Sequence, residues 1–155
     1  MIRLNIDFEK ENNRFNARVS AIILNKDKNK ILLFKVEDGR DYYLLPGGRI
    51  EFYEDSFTAI NREIMEELGY IIDLKLNSIQ ENFIVKDNKK ITQYCFCYKG
   101  IYNGTIDSDR FACKDNNGQY FYWVDIDKLS NYKVYPESTI KLINSDKLEH
   151  IIEKK

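Results

Sequence analysis

Residues 47–70, "GGRIEFYEDSFTAINREIMEELGY", restrict the fold more than any other stretch of the chain. Phe57, Ile60, Ile64 and Leu68 recur at spacings of 3, 4 and 4, which predicts one helix with a single apolar stripe. Asp55 or Ser56 can cap its start, and Gly69 stands where a helix C-cap glycine belongs. Its surroundings read as β-structure. "RVSAIILNKDKNKILLFKV" is strand, turn (25–30), strand; "EDGRD" is a loop, and "YYLL" a short strand. Beyond the helix, "YIIDLKL", "SIQENFIV", "KITQYCFCYKGIY" and "GQYFYWVDI" are further strands between Asp/Asn/Gly/Lys turns. "KLSNY" is a turn, and "YPESTIKLINSDKLEHII" is expected to be a C-terminal helix with Pro136 in its first turn. A one-stripe helix must bury that stripe against another layer. The expectation is therefore an α/β (α+β) fold, a mixed sheet sandwiched between helices. No repeat, low-complexity tract or proline-rich linker interrupts the sequence, so residues 1–155 are expected to form one domain.

The polar side of that helix poses a question. Glu63, Glu66 and Glu67 share an arc of roughly 100° beside the apolar stripe, at about 100° per residue. Like charges one turn apart repel by a few tenths of a kcal/mol. A lone "EIMEEL" is ordinarily a solvated acidic face. A hard divalent cation is the other way to settle such a row, because Mg²⁺ takes oxygen ligands, keeps several waters and binds substrate phosphates as well. The "LPGG" loop before the helix adds backbone that can approach an ion or a phosphate closely. Arg62 offers a planar fork able to tie Glu54 of the loop to the helix.

The complete spacing resembles the Nudix box, the signature G-x5-E-x7-R-E-U-x-E-E-x-G-U of the Nudix hydrolases, where U is bulky and apolar. Gly48, Glu54, Arg62, Glu63, Glu66, Glu67 and Gly69 match its fixed positions, and Ile64 its first apolar one. Tyr70 is aromatic where the family usually has an aliphatic residue. Tyr53 stands where many members have glycine, so the loop at 52–53 is expected to be shaped differently. The resemblance implies the Nudix fold and hydrolysis of a phosphoanhydride in a nucleoside diphosphate derivative, with Mg²⁺ or Mn²⁺. The substrate class stays open among a nucleoside triphosphate, a nucleotide sugar such as ADP-ribose, and a dinucleoside polyphosphate. It further implies Glu63, Glu66 and Glu67 as metal ligands, joined by the Gly48 carbonyl, with Arg62 and Glu54 orienting them. Glu66 is the first choice as general base and Glu63 the second. The alternative reading is a non-catalytic Nudix-fold nucleotide sensor. Isomerase chemistry on an isoprenoid diphosphate would need a cysteine motif that Cys95, Cys97 and Cys113 do not form.

Substrate recognition lies outside the box. Tyr43, Phe52 and Tyr53 are candidates to stack a base, and Arg49 to hold a phosphate, ahead of Arg14, Arg18 and Arg40. Glu81, Asp107, Asp109 and Glu137 are acids that could approach the metal, without a signal to choose among them. His150 reads as a surface residue and Trp123 as core. With 24 basic and 25 acidic residues, the chain has no general attraction for nucleic acid or anionic membrane, so nucleic acid is an unexpected partner. The N-terminus lacks the apolar core of a signal peptide, and no apolar run reaches membrane length. Three cysteines without a framework spacing suit reduced thiols, and a cytoplasmic location is expected. The family resemblance leaves a homodimer open.

Overall fold

The computed structural model describes residues 3–154, so Met1, Ile2 and Lys155 of the expected domain lie outside the described residues. Strand β2 (Asn13–Asn25) is the hub of one mixed sheet. It runs parallel to β7 (Lys89–Tyr102) along its whole length, Asn13 opposite Lys90 and Asn25 opposite Tyr102. Its other partners are antiparallel: β1 (Asp7–Lys10), β3 (Lys30–Val36) and the three-residue β5 (Gly47–Arg49). Beyond β7 lie β6 (Lys75–Lys86), antiparallel to it, and then β11 (Glu149–Lys154). On the opposite side β3 pairs with β4 (Tyr43–Leu44) and β9 (Gln119–Asp125); β10 (Val134–Tyr135) joins β4, and β8 (Arg110–Ala112) joins β9.

Two apolar clusters cover the two faces. Ala17, Val19, Ala21 and Ile23 of β2 meet Ala59, Ile60, Ile64 and Leu68 of α1 (Ser56–Leu68). The intervening Ile22 and Leu24 point the other way, toward a 3-10 turn (Ile126–Asn131) and α2 (Thr139–Ile143), through Leu129, Leu142 and Ile143. The period of two along β2 thus separates the layers, and the sheet lies between helices as expected. Burying side chains of this size contributes about 1.5–3 kcal/mol each. Asp55 caps α1, its Oδ1 accepting from the Thr58 amide at 2.7 Å, and Gly69 closes it in the left-handed conformation at φ 71.

Several elements differ from the sequence reading. Of the expected stripe on α1, Ile60, Ile64 and Leu68 are buried, whereas Phe57 is half exposed, with its ring against Tyr98. "YIIDLKL" and "SIQENFIV" are not two strands. Residues 70–74 carry no ladder, and β6 is continuous from Lys75 across a register shift between Leu76 and Ser78. The expected C-terminal helix stops at Ile143. Residues 149–154 instead form β11, parallel to β6, because "EHIIEK" alternates inward and outward with period two once Asn144–Asp146 have broken the helix. Strand β1, short and polar, carried too little periodic signal to be read.

Candidate active site

The site starts from what β5 lacks. Gly47 and Gly48 pair with Ser20 and Val19, and a Cβ on either would collide: at Gly47 with the Val19 carbonyl, at Gly48 with the Glu63 carboxylate. Bare backbone therefore lets α1 lie close to the sheet and lets its carboxylates reach past the strand. Arg62 locks this arrangement. Its Nε and Nη2 donate to the two oxygens of Glu54 at 2.8 and 2.9 Å, Nη1 donates to Glu63 Oε1 at 2.9 Å, and Nη2 also reaches the Arg49 carbonyl at 3.1 Å. Glu54 Oε1 accepts in addition from the Glu51 amide at 3.0 Å. The Arg62 guanidinium holds the Glu54 carboxyl below its ordinary range. The loop between them turns at Tyr53, whose backbone sits at φ 65 with its side chain fully exposed. The residue that replaces the family's glycine thus adopts the conformation glycine favours.

The three helix carboxylates occupy different environments. Glu66 is the most open, gripped by both guanidinium ends of Arg3 and 3.5 Å from Arg62 Nη1. Glu63 is pushed up by burial, which outweighs its hydrogen bond from Arg62. Glu67 is buried at 6% exposure, and its Oε1 has no hydrogen-bond partner. Burial, then the charges of Glu63 and Asp115, push its carboxyl up to about 9, against the opposing pull of Arg18 and the Gly47 amide. A buried, unpartnered oxygen beside a second, partly buried carboxylate is costly unless a cation meets it. Among the described residues no three acidic, histidine or cysteine side chains converge into a ready cation cage. Glu66 is instead turned onto Arg3. The donor set itself, all hard oxygens with the Gly48 backbone alongside, fits Mg²⁺ or Mn²⁺.

Asp115 was not among the acids singled out from sequence. It sits in the loop after β8, and the Lys114 amide donates to the Glu67 carbonyl at 3.0 Å, docking that loop on the end of α1. Cys113 Sγ donates to Asp115 Oδ1 at 3.1 Å. No local spacing connects "CKDNNG" to the helix, so only the tertiary fold brings them together. Of the acids named from sequence, Glu81 pairs with His150 Nε2 at 2.5 Å and Asp109 with Lys30 at 3.0 Å. His150 is accordingly an exposed surface residue, and Trp123 is core at 4% exposure. Arg3, holding Glu66, was likewise missed.

The candidate substrate residues are scattered. Arg49 Nε stands 2.9 Å from Asp7 Oδ2, and Arg14 grips the same carboxylate through two bonds of 2.8 and 2.7 Å. Tyr43 is wedged edge-on between Tyr122 and Tyr132, at 5.4 and 5.3 Å between centroids. Phe52 and Tyr53 are exposed on the loop before α1. Arg18, a secondary candidate, occupies the more suggestive place. It lies opposite Arg49 beside the glycine strand, and it lines a cavity of about 190 Å³ on the second face, where α2 and the 3-10 turn leave the sheet uncovered. Leu45, Ile84 and Tyr135 give that cavity apolar walls, and Gln80, Asn82 and Glu153 polar ones. The three cysteines are free thiols; Cys95 and Cys97 are buried, and burial pushes both up. Among the described residues no helix is long and apolar enough to cross a membrane.

The NUDIX domain family model matches residues 14–143. An 8-oxo-dGTP diphosphatase of Buchnera aphidicola (subsp. Acyrthosiphon pisum) is 32% identical over 72 residues, 46% of this chain and 57% of the relative. The match thus spans a little over half of that relative's length. Among solved structures, a MutT protein from Bacillus halodurans superposes with a TM-score of 0.68 at 17% identity, covering 90% of each chain. A MutT NUDIX hydrolase from Burkholderia pseudomallei gives 0.63 at 18% identity, covering 86% of this chain and 98% of its own.

Proposed function

The chain belongs to the Nudix domain family, and from that premise we propose that it is a divalent-metal-dependent pyrophosphohydrolase acting on a nucleoside triphosphate. The observation that carries this reading is Glu67, a buried carboxylate with an unpartnered oxygen, set beside Glu63 over a strand made bare by two glycines. Glu63, Glu66, Glu67 and the Gly48 carbonyl would hold the cation. When bound, it neutralises phosphoryl charge and makes a nucleophilic water available near neutral pH. Arg62 and Glu54 fix the loop and helix that carry these ligands. Glu66, held only by Arg3 and a long contact to Arg62, is the carboxylate freest to swing and take the proton from the attacking water. Asp115, docked at the end of α1, is a further acid able to hold a water there. Arg18 stands between the carboxylates and the second-face cavity, placed to contact a phosphate while the cavity takes the nucleoside. The 8-oxo-dGTP diphosphatase name of the Buchnera relative favours a triphosphate over a nucleotide sugar.

The test is product analysis of nucleoside triphosphates, nucleotide sugars and dinucleoside polyphosphates incubated with the protein and Mg²⁺ or Mn²⁺. A monophosphate and pyrophosphate released from a triphosphate is the expected outcome, abolished by EDTA. Glu66→Gln and Glu67→Gln are expected to lower kcat by about 10²–10⁴-fold. If every compound survives intact while nucleotides still raise the melting temperature, the chain is a nucleotide sensor and the hydrolase reading fails.

A further inference from the structure

The second-face cavity contains an unfinished hydrogen-bond ladder. Asn16, Gln93, Asn82 and Glu153 occupy one register across four neighbouring strands: Asn16 opposite Gln93, Gln93 opposite Asn82, and Asn82 opposite Glu153. Side chains in one register of a sheet lie about 5 Å apart on a common face. Each amide here donates in the same direction. Gln93 Nε2 donates to Asn16 Oδ1 at 3.0 Å, and Asn82 Nδ2 donates to Gln93 Oε1 at 3.3 Å. That relay fixes which way Asn82 faces and leaves its Oδ1 buried with no partner. Next in the row comes Glu153, a carboxylate on the cavity wall with no hydrogen bond or ion pair to another of the described residues. The ladder therefore ends in acceptors with no donor among the described residues, and a buried acceptor without a donor is unfavourable.

The missing component is a ligand that presents N–H groups side by side. Among the common bases only guanine does so on its pairing edge, with N1–H next to the N2 amine. Adenine and cytosine set one amine beside a bare ring nitrogen, and uracil and thymine place one N–H between two carbonyls. A carboxylate accepts two parallel donors in fork geometry, which suits guanine alone of these. We infer that the cavity is a guanine-type base subsite, with Glu153 and Asn82 Oδ1 as the residues that read the paired donors; this rests on the nucleotide-hydrolase reading above. The walls of Leu45, Ile84 and Tyr135 take the ring faces, and Arg18 directs the phosphate end toward the glycine strand. Glu153 comes from β11, which lies outside the family-matched residues 14–143, so it is a specificity residue supplied by a strand beyond that match.

Isothermal titration of the whole chain with dGMP and dIMP, in Mg²⁺, isolates the amine, because the two ligands differ only there. Wild type is expected to bind dGMP at least tenfold tighter than dIMP. In Glu153→Gln that ratio is expected to collapse to within about twofold, and Glu153→Asp is expected to restore part of it. An unchanged melting temperature of each variant shows that its fold is intact. A ratio that survives in Glu153→Gln, a wild type that binds dIMP as well as dGMP, or one that binds neither at millimolar concentration overturns the assignment. Hydrolysis of dGTP in the same samples reports separately on the enzyme reading. Turnover without base discrimination sinks only the subsite, and discrimination without turnover sinks only the hydrolase.

Discussion

Glu67 is an acid buried before it has a cation to meet, and this one residue sets a pH dependence for the whole chain. Its folded-state value of about 9 exceeds the ordinary carboxyl range near 4.5. The folded chain therefore binds more protons than the unfolded one between those values. The stability that follows is complete below the unfolded value and is lost as pH rises toward about 9. Without metal, the melting temperature should fall from pH 6 to pH 9. Glu67→Gln should flatten that slope, and a wild-type curve with no slope would contradict the assignment. Tyr53 offers an independent check. A non-glycine side chain in the left-handed region costs about 1–2 kcal/mol, and this one packs on nothing. Tyr53→Gly should raise stability by about 0.5–1 kcal/mol in urea unfolding, the remainder being lost to the freer unfolded chain. At this scale the box residues were legible because their spacing is local: one helix and one loop carry them all. Asp115 and Arg3 were not, since each reaches the carboxylates from a distant segment with no periodic relation to α1.

Among the elements, β5 and α1 act as one part. Gly48→Ala would drive a methyl group into the Glu63 carboxylate, so it should weaken Mg²⁺ binding by at least tenfold while the far-ultraviolet circular dichroism stays that of the wild type. Ile64→Ala, deep between helix and sheet at 1% exposure, should cost about 2–5 kcal/mol by cavity formation, read by denaturant titration. The helix was legible down to its caps because capping and stripe are written within fifteen residues, Asp55 to Gly69. The C-terminal region was not. "STIKLINSDKLEHII" offers apolar residues at both helical and alternating spacings, and the choice falls to whichever neighbour is available. For residues 149–154 that neighbour is the open edge of β6.

For the molecule as a whole, the sheet divides the labour. One face carries α1 and the carboxylates, the other the cavity and its amide ladder, and β5, bare at its two glycines, joins them. Because the buried carboxylates favour a bound cation, Mg²⁺ at 100 times its Kd should stabilise the fold by about 2.7 kcal/mol, and EDTA should remove that gain. A melting temperature indifferent to both would argue against a cation at Glu67. Most strands were legible from their alternation, whereas their order was not. The long parallel pairing of β2 with β7 joins segments far apart in sequence, and no local pattern records a non-local partner. The position of β11 has a consequence for descent. It pairs with β6 alone among the described strands, at the end of the sheet separated from β2 by β7 and β6. On the proposed reading, substitutions along those six residues would alter the base-binding wall without touching α1. A lineage with this arrangement would then be able to change its base preference at one sheet edge and keep the carboxylate helix as it is.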